Sequence, residues 1–326
     1  MEFDEVVLDG DGRPADPLLL VDLDAPAEAM PPSDRIRVGV GTGEPAATSR
    51  ERAAALDLTL VPLDAADDVH SVRSADPVAD AELLQAAAEA NPRAALVLAQ
   101  VLRADGLPVP AALDVESFAY STLLGGPEFK RWLIKRGPRP LPPPARDPVL
   151  VERAGGLLEI TLNRPERRNA YGREVRDALV DALRLAVLDE TVDRVLLRGA
   201  GPVFSAGGDL DEFGTTPDLA TAHFVRTRGG AGRLLHQLAD RVEVRLQGSC
   251  VGAGVELPAF AGTVTAHPDA TFRLPEVGMG LVPGAGGTVS LPRRIGRWRT
   301  LYLALSGRAL DAATAVRWGL VDAIER

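Results

Sequence analysis

Hydrophobic and polar positions follow two styles along this chain, and the change falls near residue 145. Before it, short apolar runs alternate with helical stretches. Pro17-Leu-Leu-Leu-Val-Asp-Leu, Arg35-Ile-Arg-Val-Gly-Val and Leu58-Thr-Leu-Val-Pro-Leu read as strands, with a Pro-rich connection over residues 25–34. Residues 78–90 and 93–104 read as helices broken at Asn91-Pro92, because proline cannot continue the preceding helix. Residues 114–135 form a further helical stretch, interrupted at Gly125-Gly126-Pro127. Its aromatics Phe118, Tyr120, Phe129 and Trp132 are expected to pack. Strands alternating with helices make residues 1–105 a small α/β unit, and 1–136 an N-terminal α/β and helical domain. The sequence GPRPLPPPARDP over 137–148 is a stiff linker.

Beyond the linker the pattern sharpens. Residues 149–153 and 157–163 read as strands joined by Ala154-Gly155-Gly156, followed by a helix over 173–188 and a strand over 194–198. Arg241-Val-Glu-Val-Arg-Leu-Gln alternates strictly, which puts Arg241, Glu243 and Arg245 on one face and predicts a charge-paired surface there.

With 326 residues, 46% of them hydrophobic, the chain has material for an ample core. No apolar run approaches the ~18 residues of a membrane span, and the acidic start MEFDEVVLDGDG lacks the layout of a signal peptide. A cytoplasmic location is expected. Cys250 is the only cysteine, which excludes a disulfide framework or a Cys-based zinc site, and four scattered histidines give no metal-ligand spacing. The net charge of −10 conceals an asymmetry. Residues 1–116 carry 8 Lys+Arg against 23 Asp+Glu, whereas 117–326 carry 28 against 23. The mildly basic second part suits an anionic small molecule and falls short of a nucleic-acid footprint. Gly39-Val-Gly41-Thr-Gly43 resembles a dinucleotide fingerprint but lacks a third glycine at the right spacing and a well-placed acid, so no nicotinamide or flavin is assigned.

The candidate chemistry lies between Cys250 and Gly287. Glu256 and Glu276 stand 20 residues apart, each beside glycine-rich backbone. Gly252-Ala253-Gly254 precedes VELPAFA, which reads as the start of a buried helix whose first N–H groups lack partners. Ser205-Ala206-Gly207-Gly208-Asp209-Leu210 forms a second turn of small residues with accessible amides. An N–H pocket facing two acids suits stabilisation of an enolate while protons move. Either glutamate alone would read more readily as an ordinary surface residue.

Five motifs in order, ITLNRPERRNA (160–170), FSAGGDLDEF (204–213), GAGVEL (252–257), LPEVGMGLVPGAGGT (274–288) and WGLVDAI (318–324), resemble the crotonase superfamily, and within it the enoyl-CoA hydratase/isomerase group. The resemblance spans 149–326 and implies an α/β, crotonase-like ββα spiral core preceded by a smaller N-terminal α/β domain. By motif position it makes the amides of Ala206 and Ala253 the pair that holds the thioester oxygen. Ser205, Gly207, Gly208, Leu210, Gly252 and Gly254 then line the substrate, and Asp209 fixes the first turn. Glu256 and Glu276 match the two acids that hold and activate water in hydratases. Glu276 is assigned the C2 proton and Glu256 the water. Arg164, Arg167 and Arg168 are candidates for the CoA phosphates.

The implied reaction is hydration of a 2-enoyl-CoA, with no cofactor beyond the coenzyme A of the substrate and with a homotrimer or hexamer as the assembly. The alternatives are isomerisation, a cofactor-independent acyl-CoA dioxygenase, and a non-catalytic acyl-CoA-binding subunit. The chain departs from the family in lacking the usual helices after WGLVD. Residues 81–103 and 114–135 are expected to replace them as a lid and oligomer contact.

Overall fold

A computed structural model describes residues 4–25, 32–42 and 49–325. Its N-terminal part is a parallel four-stranded sheet in the order β1 (Leu18–Asp22), β2 (Ile36–Val40), β3 (Leu58–Pro62), β4 (Ser71–Ser74), with α1 (Ser49–Ala55) before β3. The three expected strands are present. Much of the connection over 25–34, and Gly43 of the glycine cluster, lie outside the described residues. Four helices follow: α2 (Pro77–Ala90), α3 (Pro92–Arg103), α4 (Val109–Leu124) and α5 (Pro127–Arg136). Asn91 separates α2 from α3 and Gly125-Gly126 separates α4 from α5, each pair broken by a proline that opens the next helix.

Residues 137–148 contain no helix or strand and are pinned to the second part of the chain. Ala145 N–H donates to Glu174 at 2.8 Å, and the Pro143 carbonyl accepts from Arg164.

That second part opens with a hairpin, β5 (Val149–Ala154) and β6 (Leu157–Leu162), whose two-residue Gly155-Gly156 loop fits the twist of paired strands. Alternation in β6 turns Leu158, Ile160 and Leu162 inward. There they meet the apolar stripe Val175, Leu179, Leu183 and Ala186 of α6 (Arg173–Leu188). β7 (Arg194–Gly199) continues the sheet. After α7 (Leu219–Gly229) and α8 (Gly232–Gln237) comes β8 (Val242–Leu246).

A small second sheet pairs β9 (Ser249–Val251) with β11 (Thr271–Arg273) and then with β12 (Leu310–Asp311). Between these lie α9 (Ala253–Glu256) and β10 (Thr263–Ala266). α10 (Gly287–Ser306), α11 (Ala312–Trp318) and β13 (Ala323–Ile324) complete the chain, and the larger sheet runs β13-β10-β8-β7-β6-β5. Two of the three residues expected on the charged face of β8 are there: Arg245 meets Glu243 at 2.7 Å and Arg194 meets it at 3.5 Å, while Arg198 pairs with Glu159 alongside; Arg241 ends the 3-10 turn before the strand and donates to Val192 O instead.

One helix ties the two parts together. α10, which kinks at Gly296 (φ 79°), packs on α2, α3, α4 and β3 on one side and on the α9 region on the other, and 13 of its 20 residues are buried. Arg297 of α10 and Arg103 of α3 converge on the buried Asp57 carboxylate at 3.3 and 2.6 Å. Buried side chains of both parts form one continuous hydrophobic core. The helix expected after Gly254 is a correction: α9 is a single turn, followed at Leu257 by a 3-10 turn over Pro258–Phe260, because Pro258 cannot donate to extend it.

Candidate active site

Two backbone turns abut at the centre of the second part. The first is held from three sides. Phe204 N–H donates to Gln247 O, Val251 N–H to Ser205 O, and Tyr171 N–H to Gly207 O. The buried Asn169 amide spans the carbonyls of Ala200, Val203 and Phe204. The Ser205 hydroxyl donates to Asn169 O and accepts from Gly207 N–H, so it fastens the turn and is not free for a ligand. Asp209 accepts two bonds from Arg167 and one from Asp211 N–H, and it caps the short turn that begins at Leu210.

This geometry corrects the role given to Ala206. Its N–H donates to Arg168 O at 2.9 Å and is already engaged. The amide of Gly208, two residues on, is placed differently. Gly208 forms a parallel bridge with Tyr171 in which the bonds come from its neighbours, Gly207 O and Asp209 N–H. Gly208's own amide is thereby turned to the other side, and it has no acceptor among the described residues. Gly207 makes the reversal possible, with φ 86° and a face lying so close to Val251 O that a Cβ would stand 2.6 Å from it. In the second turn Gly252 has φ 50° and ψ −120°, and its carbonyl accepts from Val255 and Glu256. Ala253 follows as the first helical residue, and its N–H also has no acceptor among the described residues.

The two acids converge on Gly252. A Cβ there would lie 2.5 Å from Glu276 Oε1 and 3.8 Å from Glu256 Oε1, so both carboxylates face one point on a surface only glycine leaves open. Both residues are buried. Glu256 Oε2 accepts from Ala285 N–H at 2.7 Å and Gly287 N–H at 2.9 Å. Glu276 Oε2 is buried with no hydrogen-bond partner. Burial pushes the Glu276 carboxyl up to about 8, with the Glu116 charge adding to the rise. Burial, and then the charges of Glu276 and Glu116, hold Glu256 well above the usual carboxylate range.

Glu116 is the residue that sequence reasoning missed. It comes from α4, and its carboxylate accepts from Gly286 N–H at 2.8 Å, Thr288 N–H at 2.8 Å and the Thr288 hydroxyl at 2.7 Å. Four consecutive amides at the start of α10 therefore alternate between two buried acids: 285 and 287 serve Glu256, 286 and 288 serve Glu116. Burial raises Glu116 to about 7 against the lowering effect of these donors. A signal existed in its position. Val109, Leu113 and Leu123 mark the buried stripe of α4, and Glu116 is a charged residue on that stripe.

Tyr120, one turn further on, lies against Gly284 at the same loop. In α5, Glu128 and Phe129 press on Gly280, and Phe129 stacks with Trp132 at 5.8 Å. Phe118 is the exception among the four aromatics; it is 58% exposed and stacks only on His223. Cys250 is buried and its thiol is pushed up by burial, as a small packing residue beneath the second turn.

The arginine cluster divides. Arg164 is buried and held by Glu166, Glu174 and Pro143 O. Arg167 is tied to Asp209 at 2.7 Å and Asp211 at 2.8 Å. Both are corrections, since neither guanidinium is free to meet a phosphate. Only Arg168 of the three is exposed.

The profile of the enoyl-CoA hydratase/isomerase family matches residues 152–325. The chain belongs to that family, on an α/β fold of the crotonase type. Among curated relatives, 1,2-epoxyphenylacetyl-CoA isomerase of Escherichia coli (strain K12) is 37% identical over 171 residues, covering 51% of this chain and 65% of the relative. The 2,3-dehydroadipyl-CoA hydratase of the same strain is 34% identical, covering 53% and 68%. A crystal structure of enoyl-CoA hydratase from Thermoplasma volcanium GSS1 superposes with TM-score 0.50 at 35% identity, over 55% of this chain and 72% of that one. The chain thus spans about two thirds of the length of the curated relatives it matches, and the matched region starts after the linker.

Proposed function

We propose that this protein adds water across the double bond of a 2-enoyl-CoA thioester. One observation carries the reading: two buried carboxylates converge over Gly252 beside the unpartnered amides of Gly208 and Ala253. Those amides are placed to receive the thioester oxygen as it becomes an enolate. Two facing buried carboxyls cannot both ionise, so the pair holds a proton between them. The two amide donors on Glu256 favour its carboxylate, whereas Glu276 has an oxygen without any donor. We therefore place the proton on Glu276.

Glu256 then takes a proton from water as the water oxygen bonds to C3, and Glu276 delivers its proton to C2. One proton is accepted and one is given, so the pair finishes with its roles exchanged and resets when a proton passes between the acids. Residues of α4 and α5 cover the site from the N-terminal side, which supports their role as a lid. The names of the two E. coli relatives support enolate chemistry on CoA esters without deciding between hydration and isomerisation.

The test follows the ultraviolet absorbance of the conjugated thioester of crotonyl-CoA. Wild type is expected to consume it. Glu256→Gln and Glu276→Gln, both folded, are expected to lose ~10²–10⁴ in rate. Turnover of a 3-enoyl-CoA with no hydration of crotonyl-CoA would replace this reading with isomerisation.

A further inference from the structure

Next to the carboxylates, between α4, α7–α8 and the 284–285 turn, lies a cavity of about 60 Å³, room for a few water-sized groups. It adjoins the site in two places. Ala285, on its wall, donates to Glu256, and Tyr171, on the same wall, bridges to Gly208. The far wall presents Arg226 of α7. That guanidinium donates Nε to Ser117 Oγ at 3.1 Å and Nη2 to Ser117 O at 3.2 Å and to Ser121 Oγ, and it stacks over the Tyr120 ring at 4.5 Å.

Among the described residues, no carboxylate lies within ion-pair distance of Arg226, and Glu116 acts on it only through space. Glu116 itself already accepts three bonds from α10. The two other arginines on the walls have partners: Arg176 pairs with Asp177 at 2.7 Å and Arg233 with Asp114 at 2.5 Å. The Tyr171 hydroxyl is shut off from solvent beside the Ala231 amide. The cavity, whose walls also include the donor-occupied Glu116, therefore offers a cation lacking a direct counter-ion in a space too small for a long chain.

We propose that this cavity is a subsite for the far end of the acyl group, and that it selects a short 2-enoyl-CoA ending in a carboxylate. The proposal rests on the acyl-CoA reading above. A carboxylate is compact, accepts several bonds at once and pairs with guanidinium more strongly than a neutral group does. A methyl end would leave Arg226 without a counter-ion, and sites of that kind discriminate strongly.

The first measurement needs no turnover. Calorimetry compares the saturated esters glutaryl-CoA and butyryl-CoA on the wild-type protein. Glutaryl-CoA is expected to bind tighter by on the order of tenfold to a hundredfold. Arg226→Met is expected to abolish that ratio. Because Arg226 also joins α7 to α4, Arg226→Lys is the second variant; it keeps the positive charge and is expected to retain a ratio above one that Arg226→Met loses. Equal binding of the two esters by wild type would overturn the subsite.

Kinetics then separate the two readings. If crotonyl-CoA is hydrated as efficiently as glutaconyl-CoA, the subsite falls and hydration stands. If glutaryl-CoA binds preferentially and neither enoyl ester is hydrated, the subsite stands and hydration falls.

Discussion

Glu256 and Glu116 draw on the same four amides, yet they stand in opposite conditions. Glu256, from the crotonase-type part, gives one oxygen to Ala285 and Gly287 and keeps the other facing Glu276. Glu116, from the N-terminal part, has both oxygens occupied, by Gly286 and by the amide and hydroxyl of Thr288. A carboxylate with an unoccupied oxygen at a convergence point can exchange a proton. One with both oxygens occupied by backbone and hydroxyl donors holds those elements in place. The N-terminal part thus enters the site as restraint, while the chemistry stays with the second part.

Removing the restraint sharpens the contrast most. Glu116→Ala orphans three buried donors at the start of α10, at about 1–3 kcal/mol each, so a stability loss of about 4–5 kcal/mol is expected in denaturant unfolding. Glu116→Gln keeps the shape and one acceptor and should cost less than half of that. If Glu116→Ala left stability unchanged, the α4–α10 connection would be unimportant to the fold.

The two turns can be compared in the same way. Replacing the Gly208 amide by an ester, through incorporation of glycolic acid, removes a donor with no internal acceptor. It is expected to lower kcat by ~10²–10³ with little change in stability. The same replacement at Ala206, with lactic acid, breaks a bond to Arg168 O and should lower stability by about 1 kcal/mol. The reverse pattern would return the thioester oxygen to Ala206.

Acidity distinguishes the groups next. Glu276 is raised to about 8 and Glu116 to about 7, so between the ordinary carboxylate pKa and those values the folded chain keeps protons that the unfolded chain has released. Stability therefore falls as pH rises through that window, by up to about 1.4 kcal/mol per pH unit for each group. If the proposed mechanism holds, with its proton on Glu276, hydration should decline as pH rises past about 8. Glu276→Gln is expected to flatten part of the stability slope, seen as a smaller shift of the urea midpoint between pH 5 and 8.

Much of this was legible in the residues. Alternation and helix punctuation located β6, α6 and the α2–α3 break, because each depends on local periodicity and on prolines. The glutamate pair stood out because glycine-rich backbone flanks both members. Which amide is free in the first turn was not legible: Ala206 and Gly208 differ only in a bond made to Arg168, 38 positions away. Glu116 was hidden for a similar reason, since its partners lie beyond position 285. One turn of helix at Ala253 in place of a longer one follows from Pro258, whose two possible effects only the packing decides.

The smallest effect concerns the arginines, and it tests the same division between held and available groups. Arg164 and Arg167 are fixed by carboxylates, whereas Arg168 sits on an exposed αL corner with φ 53°, its carbonyl engaged by Ala206. An exposed cation contributes under about 1 kcal/mol to an anion's binding and is screened by salt. Arg168→Gln is therefore expected to raise KM for a CoA ester about two- to fivefold with kcat unchanged, and the difference should fade at high ionic strength. Arg167→Gln should act differently. It leaves Asp209 and Asp211 facing each other without their shared partner, loosens the turn that presents Gly208, and lowers kcat more than it raises KM. If Arg167→Gln instead raised KM alone, in a salt-dependent way, then the Arg167–Asp209 pair must open when the ester binds, and the guanidinium assigned here to the turn would belong to the phosphates after all.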